Sequence, residues 1–310
     1  MSSMVHILRA AGSTLWAIQL EKLDAVMAFL ALRASGERFT REEVTARIGA
    51  KPGTPGQPPR GSGVAVIPVY GIIAQHMAQV DDLSSGGGTS TEEIGAMFDA
   101  ALANPDVGTI ILAVDSPGGT VYGVPELAAR IFAARGQKKI VSVAASLAAS
   151  ASYWLASQAD EMVASPSGEV GSIGVYSAHI DMTGAQEQAG MKVEIFSAGK
   201  YKAEGALGQA LSEEAQVAEQ GRVDEMYGMF VADVARGRGV KPADVRGGFG
   251  EGRVVGAKQA KALGMVDRVA TLEDTVARYL KRAAPRAAAN ADTLRKDLAL
   301  KALAHGPTVS

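Results

Sequence analysis

Three short stretches of this chain combine residue types that hydrolytic chemistry uses. The first is Ser146-Leu-Ala-Ala-Ser150-Ala-Ser152-Tyr153-Trp154, where the strand-like run KKIVSVAA gives way to a helix-like one. A hydroxyl there stands at a helix N-terminus, whose unpaired N–H groups and dipole stabilise negative charge developing on a substrate oxygen. The alanines around it leave room for a substrate backbone, although small residues in a tightly packed helix start give the same pattern. The second stretch is Asp115-Ser-Pro-Gly-Gly119, directly after the apolar run VGTIILAV. A glycine pair after a strand lets the backbone turn its N–H groups outward, as an oxyanion-binding loop requires. The same five residues also suit an ordinary turn. The third is Gly199-Lys200-Tyr201-Lys202-Ala-Glu-Gly205, just past KVEIF. A lysine with its ordinary pKa of about 10.4 cannot accept a proton at neutral pH, but desolvation lowers that value by several units. Either Lys200 or Lys202 becomes a base if buried, and either is an ordinary surface cation if solvated.

Other bases are few. Of the four histidines, His6 and His305 lie near the ends and His76 precedes the glycine run 86–88. His179, 29 residues after Ser150, is an alternative partner for it, because such pairs are set by geometry and not by order. The chain has no G-x-S-x-G elbow, no H-E-x-x-H and no cysteine, which removes the usual hydrolase elbow, the zinc-protease helix, thiolate nucleophiles and disulfides.

The elements that must position these groups follow from pattern and composition. With 310 residues, 47% of them hydrophobic, the chain can bury a full core. Lys and Arg total 31 against 33 Asp and Glu, so no global field favours nucleic acid or an anionic membrane. The apolar run 25–32 is too short to span a bilayer, and its acidic flank is unlike a secretory signal, so neither a membrane anchor nor export is expected and the location is cytoplasmic. Residues 1–50 are expected to form a small helical region, with an amphipathic helix over 13–34 and a capping box at Thr40–Glu43. Four prolines and four glycines make 51–63 a linker. The main domain covers 64–281, and 282–310 is a flexible tail. Within the domain, β-rich runs at 64–73, 107–114, 139–145, 161–164 and 192–196 alternate with helix-like stretches at 91–103, 124–135, 150–158, 180–190 and 212–236, while Asp81–Thr91 reads as a loop. That alternation predicts an α/β fold with a largely parallel sheet.

Taken together, the segments resemble the S49 peptidase family, which comprises signal peptide peptidase A and phage-encoded relatives acting in capsid maturation. The resemblance runs from about Gly63 to Val269 and rests on DSPGG at 115–119, SLAASASYW at 146–154, GSIGV at 171–175, GKYK at 199–202 and GRVVGAKQAKALGMVD at 252–267. It implies a ClpP/crotonase-like fold of β-β-α units, with Ser150 as nucleophile and Lys202 as general base. It further implies an oxyanion hole from the N–H groups of Gly119 and Ala151, and Ser172 as a group orienting the lysine. The family often has glycine where Ala151 stands. No metal or organic cofactor is implied. Protein or peptide substrates are, phage head proteins among them, in a homo-oligomer. Rival readings are a signal-peptide-peptidase-like protease without an anchor, a crotonase-type acyl-CoA hydratase or isomerase, and a non-enzymatic assembly factor.

Overall fold

The computed structural model describes residues 14–23, 62–76, 88–179, 181–206 and 209–283. Along the chain run β1 (Trp16–Ile18), β2 (Val64–Ala74), β3 (Gly88–Ser90), α1 (Thr91–Ala103), β4 (Thr109–Thr120), α2 (Val124–Ala133), β5 (Lys139–Ala149) and α3 (Ala151–Ala156). There follow β6 (Glu161–Ala164), β7 (Glu169–Gly171), α4 (Thr183–Gln188), α5 (Glu213–Arg238), α6 (Pro242–Gly248), β8 (Val254–Gly256), α7 (Ala257–Ala262), β9 (Arg268–Val269) and a last helix, α8, over 272–283.

The architecture is the expected α/β one. Strands β3-β2-β4-β5-β6-β9 form a parallel sheet in that order, and β1 and β8 attach to it antiparallel. Parallel strands are covered on both faces, so they are apolar throughout, as in VAVIPVYGIIA of β2 and TIILAV of β4. One face meets Phe98, Ile131, Trp154 and Phe230, and the other buries Val64, Ile111 and Val141 against Leu272 and Tyr279. The long strands bend. Register shifts fall between Val114 and Ser116 on the β4–β5 ladder, and β5 pairs first with β6 and then, from Leu147, with β7. A strand that changes register or partner part-way along its length in this manner supplies both β segments of a β-β-α unit.

Helix starts follow their caps. The Ser90 hydroxyl accepts from the Glu93 N–H at 3.0 Å to open α1, and Ser212 does the same for Ala215 at 3.1 Å to open α5.

Several expectations change. Asp115–Gly119 does not follow the strand; it is the end of β4, held by pairing on both sides. The run 192–196 is not a strand. Its alternating apolar side chains have no sheet partner among the described residues, and Phe196 is 92% exposed. Of the expected loop at 81–91, residues 88–90 form β3. The helix expected over 13–34 is replaced at Trp16–Ile18 by β1, residues 20–23 are helical, and 13 and 24–34 lie outside the described residues. An apolar run as short as LWAI fits either period, and pairing to β4 decides between them. The capping box at 40–43, residues 51–61 of the linker and the tail from 284 lie outside the described residues.

Candidate active site

Ser150 stands between the last residue of β5 and the first of α3, with φ 57° and ψ −120°. A positive φ costs a non-glycine residue about 1–3 kcal/mol, so the surroundings must impose it. They do so through several contacts. The Ser150 N–H donates to the Gly171 carbonyl at 2.7 Å, and the Ser150 carbonyl accepts from the Trp154 N–H at 2.9 Å. Behind it, Trp154 stacks on Phe230 with centroids 4.4 Å apart and donates its indole N–H to Asp233 at 2.8 Å. The Tyr153 hydroxyl donates to the Met265 carbonyl at 3.0 Å. Arg135 gathers the carbonyls of Gln158, Ala159 and Gly237 just beyond the end of α3. The result is a rigid sharp turn that presents one hydroxyl.

That hydroxyl is fully buried, and its contact is long, 3.5 Å to the Gly174 carbonyl. Its neighbour Ser152, equally plausible by residue type, is committed to the carbonyls of Ser116 and Ala149 at 2.9 and 2.8 Å.

The structure brings the glycine pair of β4 against this turn. A Cβ on Gly118, whose φ is +99°, would lie 3.0 Å from the Ser150 Cβ and 2.2 Å from the Ala17 carbonyl oxygen; one on Gly119 would lie 1.8 Å from the Ile73 carbonyl oxygen. Only glycine fits at either position. Ser116 sets the pair's orientation: its hydroxyl donates to the Gly71 carbonyl at 2.6 Å and accepts from the Gly118 N–H at 3.1 Å. Ala151 opens α3, where an N–H has no intrahelical acceptor.

GSIGV wraps the same turn. The Gly171 carbonyl holds the Ser150 backbone, the Gly174 carbonyl faces its hydroxyl, and between them Ser172 is pinned at φ 53° by donating its N–H to the Arg253 carbonyl at 2.8 Å. Reading by residue type missed Ser116, Gly171 and Gly174, because they act through backbone carbonyls or on other backbone groups. The fixed motifs DSPGG and GSIGV were their one signal.

The bases are placed elsewhere. Lys200 donates to the Tyr201 hydroxyl at 2.7 Å and to Glu214 at 2.9 Å, and these bonds, Tyr201 first, raise its pKa and keep it a cation. His179 is exposed, with Nε2 3.1 Å from the Gln209 carbonyl. Lys202 is exposed, and its amine has no hydrogen bond or ion pair among the described residues, with Ser150 or with any other group. The stretch around it presents Met191, Val193, Ile195 and Phe196 to solvent. Among the described residues no cluster of three His, Cys, Asp or Glu side chains is arranged to hold a metal ion.

A buried, strained serine at a strand-to-helix turn, set against a glycine pair, is an arrangement that nucleophilic hydrolase chemistry can use. Residues 133–285 match the model of peptidase family S49, and the chain belongs to that family. Among its relatives are head-tail preconnector protein GP5 of Enterobacteria phage P21 (29% identical, over 69% of this chain and 42% of that protein) and capsid assembly protease C of Escherichia phage lambda (28%, 78% and 55%). Protease 4 of Salmonella typhi is 32% identical over 70% of this chain and 34% of that protein. The chain thus spans between about a third and somewhat over half the length of these relatives. A ClpP1 point mutant from Listeria monocytogenes overlaps it at a TM-score of 0.42 and 15% identity, covering 67% of this chain and 92% of that one; the fold assignment rests on the strand order itself.

Proposed function

We propose that the chain is a serine endopeptidase of the S49 type, with Ser150 as nucleophile, the N–H groups of Gly119 and Ala151 as oxyanion donors and Lys202 as general base. The observation that carries this reading is Ser150 itself: buried, held at φ 57° and set against the Gly118–Gly119 turn. In the reaction the neutral Lys202 amine takes the hydroxyl proton while Oγ attacks a peptide carbonyl. The two N–H groups hold the oxyanion, the lysine returns the proton to the leaving amine, and water hydrolyses the ester. Family membership disfavours the hydratase reading, and so does the site, which offers a hydroxyl where that chemistry needs carboxylates.

Among the described residues one protomer places no base at Ser150, and it exposes Lys202, without a partner there, just after the exposed apolar side chains of 191–196. The reading that reconciles these is a homo-oligomer in which Lys202 of one subunit, buried against another, serves the Ser150 of its neighbour. Burial in that contact is what would lower the lysine pKa. The phage relatives favour head proteins as substrates in the host cytoplasm. No helix among the described residues is long and apolar enough to cross a membrane.

The test is labelling by a fluorophosphonate probe together with peptide cleavage. Wild-type protein should label at Ser150 and cut, whereas Ser150→Ala and Lys202→Ala should each do neither while keeping the native circular dichroism. Mixing the two inactive variants through a dissociation and reassembly step should restore part of the activity. Peptide cleavage by pure Ser150→Ala refutes the nucleophile, and a mixture that stays inert refutes the shared dyad.

A further inference from the structure

Strand β1 is buried at the edge of the proposed site, beside Gly118–Thr120 of β4. Its backbone is hydrogen-bonded on both sides. Toward β4, Val121 N–H donates to the Leu15 carbonyl and Gln19 N–H to the Pro117 carbonyl, each at 3.1 Å; on the other side Trp16 exchanges bonds with Tyr176 in both directions, at 2.9 and 3.0 Å. Odd-numbered residues face β4 and even-numbered ones face the segment that follows GSIGV.

Ala17 is paired with Gly119 between the two hydrogen-bonded pairs on the β4 side. Antiparallel ladders alternate with a period of two, so Ala17 and Gly119 form a hydrogen-bonded pair as well, with the Gly119 N–H facing the Ala17 carbonyl. That carbonyl oxygen and the Ser150 Cβ lie 2.2 and 3.0 Å from the same point, where a Gly118 Cβ would be. The Ala17 carbonyl oxygen and the Ser150 Cβ are thus close neighbours across Gly118, which sets that carbonyl beside the proposed nucleophile.

We propose that residues 15–19 are a tethered peptide lying in the substrate groove, so that the protomer in this conformation is self-blocked. The inference rests on Ser150 being the nucleophile with Gly119 as oxyanion donor. The groove runs between Gly118–Val121 and Tyr176 and takes an extended peptide as an added antiparallel strand, so most of its hold is on the main chain. Specificity is exerted at alternate side chains. The residue whose carbonyl meets Gly119 is here Ala17, wholly buried, and a substrate should carry a small residue at that position. With no base at Ser150 among the described residues of a single protomer, the segment is held in place and not cut. Residues 24–61 join it to β2, so its departure leaves the parallel ladder intact. A substrate must displace it, and the apparent affinity falls by the fraction of chains in which the groove is open.

The chain has no cysteine, which makes a reversible lock available. A hydrogen-bonded antiparallel pair places its Cα atoms about 5.5 Å apart, inside the disulfide range. In a Trp16→Cys/Tyr176→Cys double variant, the oxidised form should label at Ser150 with the fluorophosphonate probe at least ~tenfold more slowly than the same protein reduced, because the closed groove admits no ligand. Equal labelling in both redox states overturns the proposal. An independent measurement uses Trp16→Asp, which ejects the strand. The synthetic peptide Thr-Leu-Trp-Ala-Ile-Gln should slow amide exchange at Val121 and Tyr176 in that variant, and no protection at saturating peptide overturns the proposal too. Exchange protection requires no catalysis. A Ser150 that labels in no state would therefore sink the peptidase reading, while the exchange result judges the groove.

Discussion

At the scale of single residues, environment and not residue type separates the catalytic candidates. Ser150 and Ser152 are two positions apart and both buried, yet the hydroxyl of Ser152 is bound to two carbonyls while that of Ser150 touches one, at 3.5 Å. The lysines divide in the same way. Lys200 is held as a cation by Tyr201 and Glu214, whereas Lys202 has no hydrogen-bond or ion-pair partner among the described residues. Lys200→Ala should therefore leave kcat/KM within ~2-fold, while Lys202→Ala should lower it by the ~100- to 10,000-fold expected of a lost general base. Steady-state hydrolysis of an alanine-rich peptide by the two variants checks this, and equal losses would return Lys200 to candidacy. Residue identity alone brought both lysines and all the serines into view. Choosing among them took five motifs in a fixed order, because burial and hydrogen bonding depend on parts of the chain far away in sequence.

At the scale of elements, β4 is the part on which the proposed site depends, since its last residues are at once a strand and the proposed oxyanion turn. Gly119 is squeezed between β1 and β2, and any side chain on it meets the Ile73 backbone. Gly119→Ala must part the β2–β4 ladder or bend the turn away from Ser150. It should lower the melting temperature and abolish probe labelling together. A variant that melts as wild type and still labels would show that the turn is more pliable than this packing allows. The parallel strands β2, β4, β5 and β6 and helices α1 and α5 were legible in the sequence because continuous apolar runs and capping serines are local signals. Two elements were not. KVEIF alternates like a strand but has no neighbour to pair with, and LWAI looks like a helix face but pairs with Gly118–Thr120. In both cases the deciding partner is more than seventy residues away or absent from the described chain.

At the scale of the molecule, the far edge of the sheet is closed by charge. Arg268 of β9 donates to Glu161 of β6 at 3.0 Å, and Tyr279 of α8 donates to the other Glu161 oxygen. Next to them Asp267 takes Arg238 of α5 at 2.7 Å and the Met162 N–H at 2.7 Å. Burial alone would raise both carboxyl pKa values. The hydrogen bonds outweigh it, Tyr279 and Arg268 for Glu161, Arg238 and Met162 for Asp267, so both end lower in the folded chain than ordinary. A carboxyl with a lowered folded pKa contributes stability that is complete above its unfolded value, about 4 for these residues, and disappears as pH falls through the folded one. The C-terminal unit of β9 and α8 should thus loosen first in acid, while the apolar ladder from β2 to β5, which has no comparable charge, persists. Urea unfolding at pH 7 and at pH 3.5 should show a loss of stability that Glu161→Gln reduces, because the variant is already without the ionised form at neutral pH. Hydrogen exchange at pH 3.5 should place the earliest opening at 268–283. Uniform opening across the sheet, or a Glu161→Gln variant as acid-sensitive as wild type, would mean that this edge does not set the acid limit.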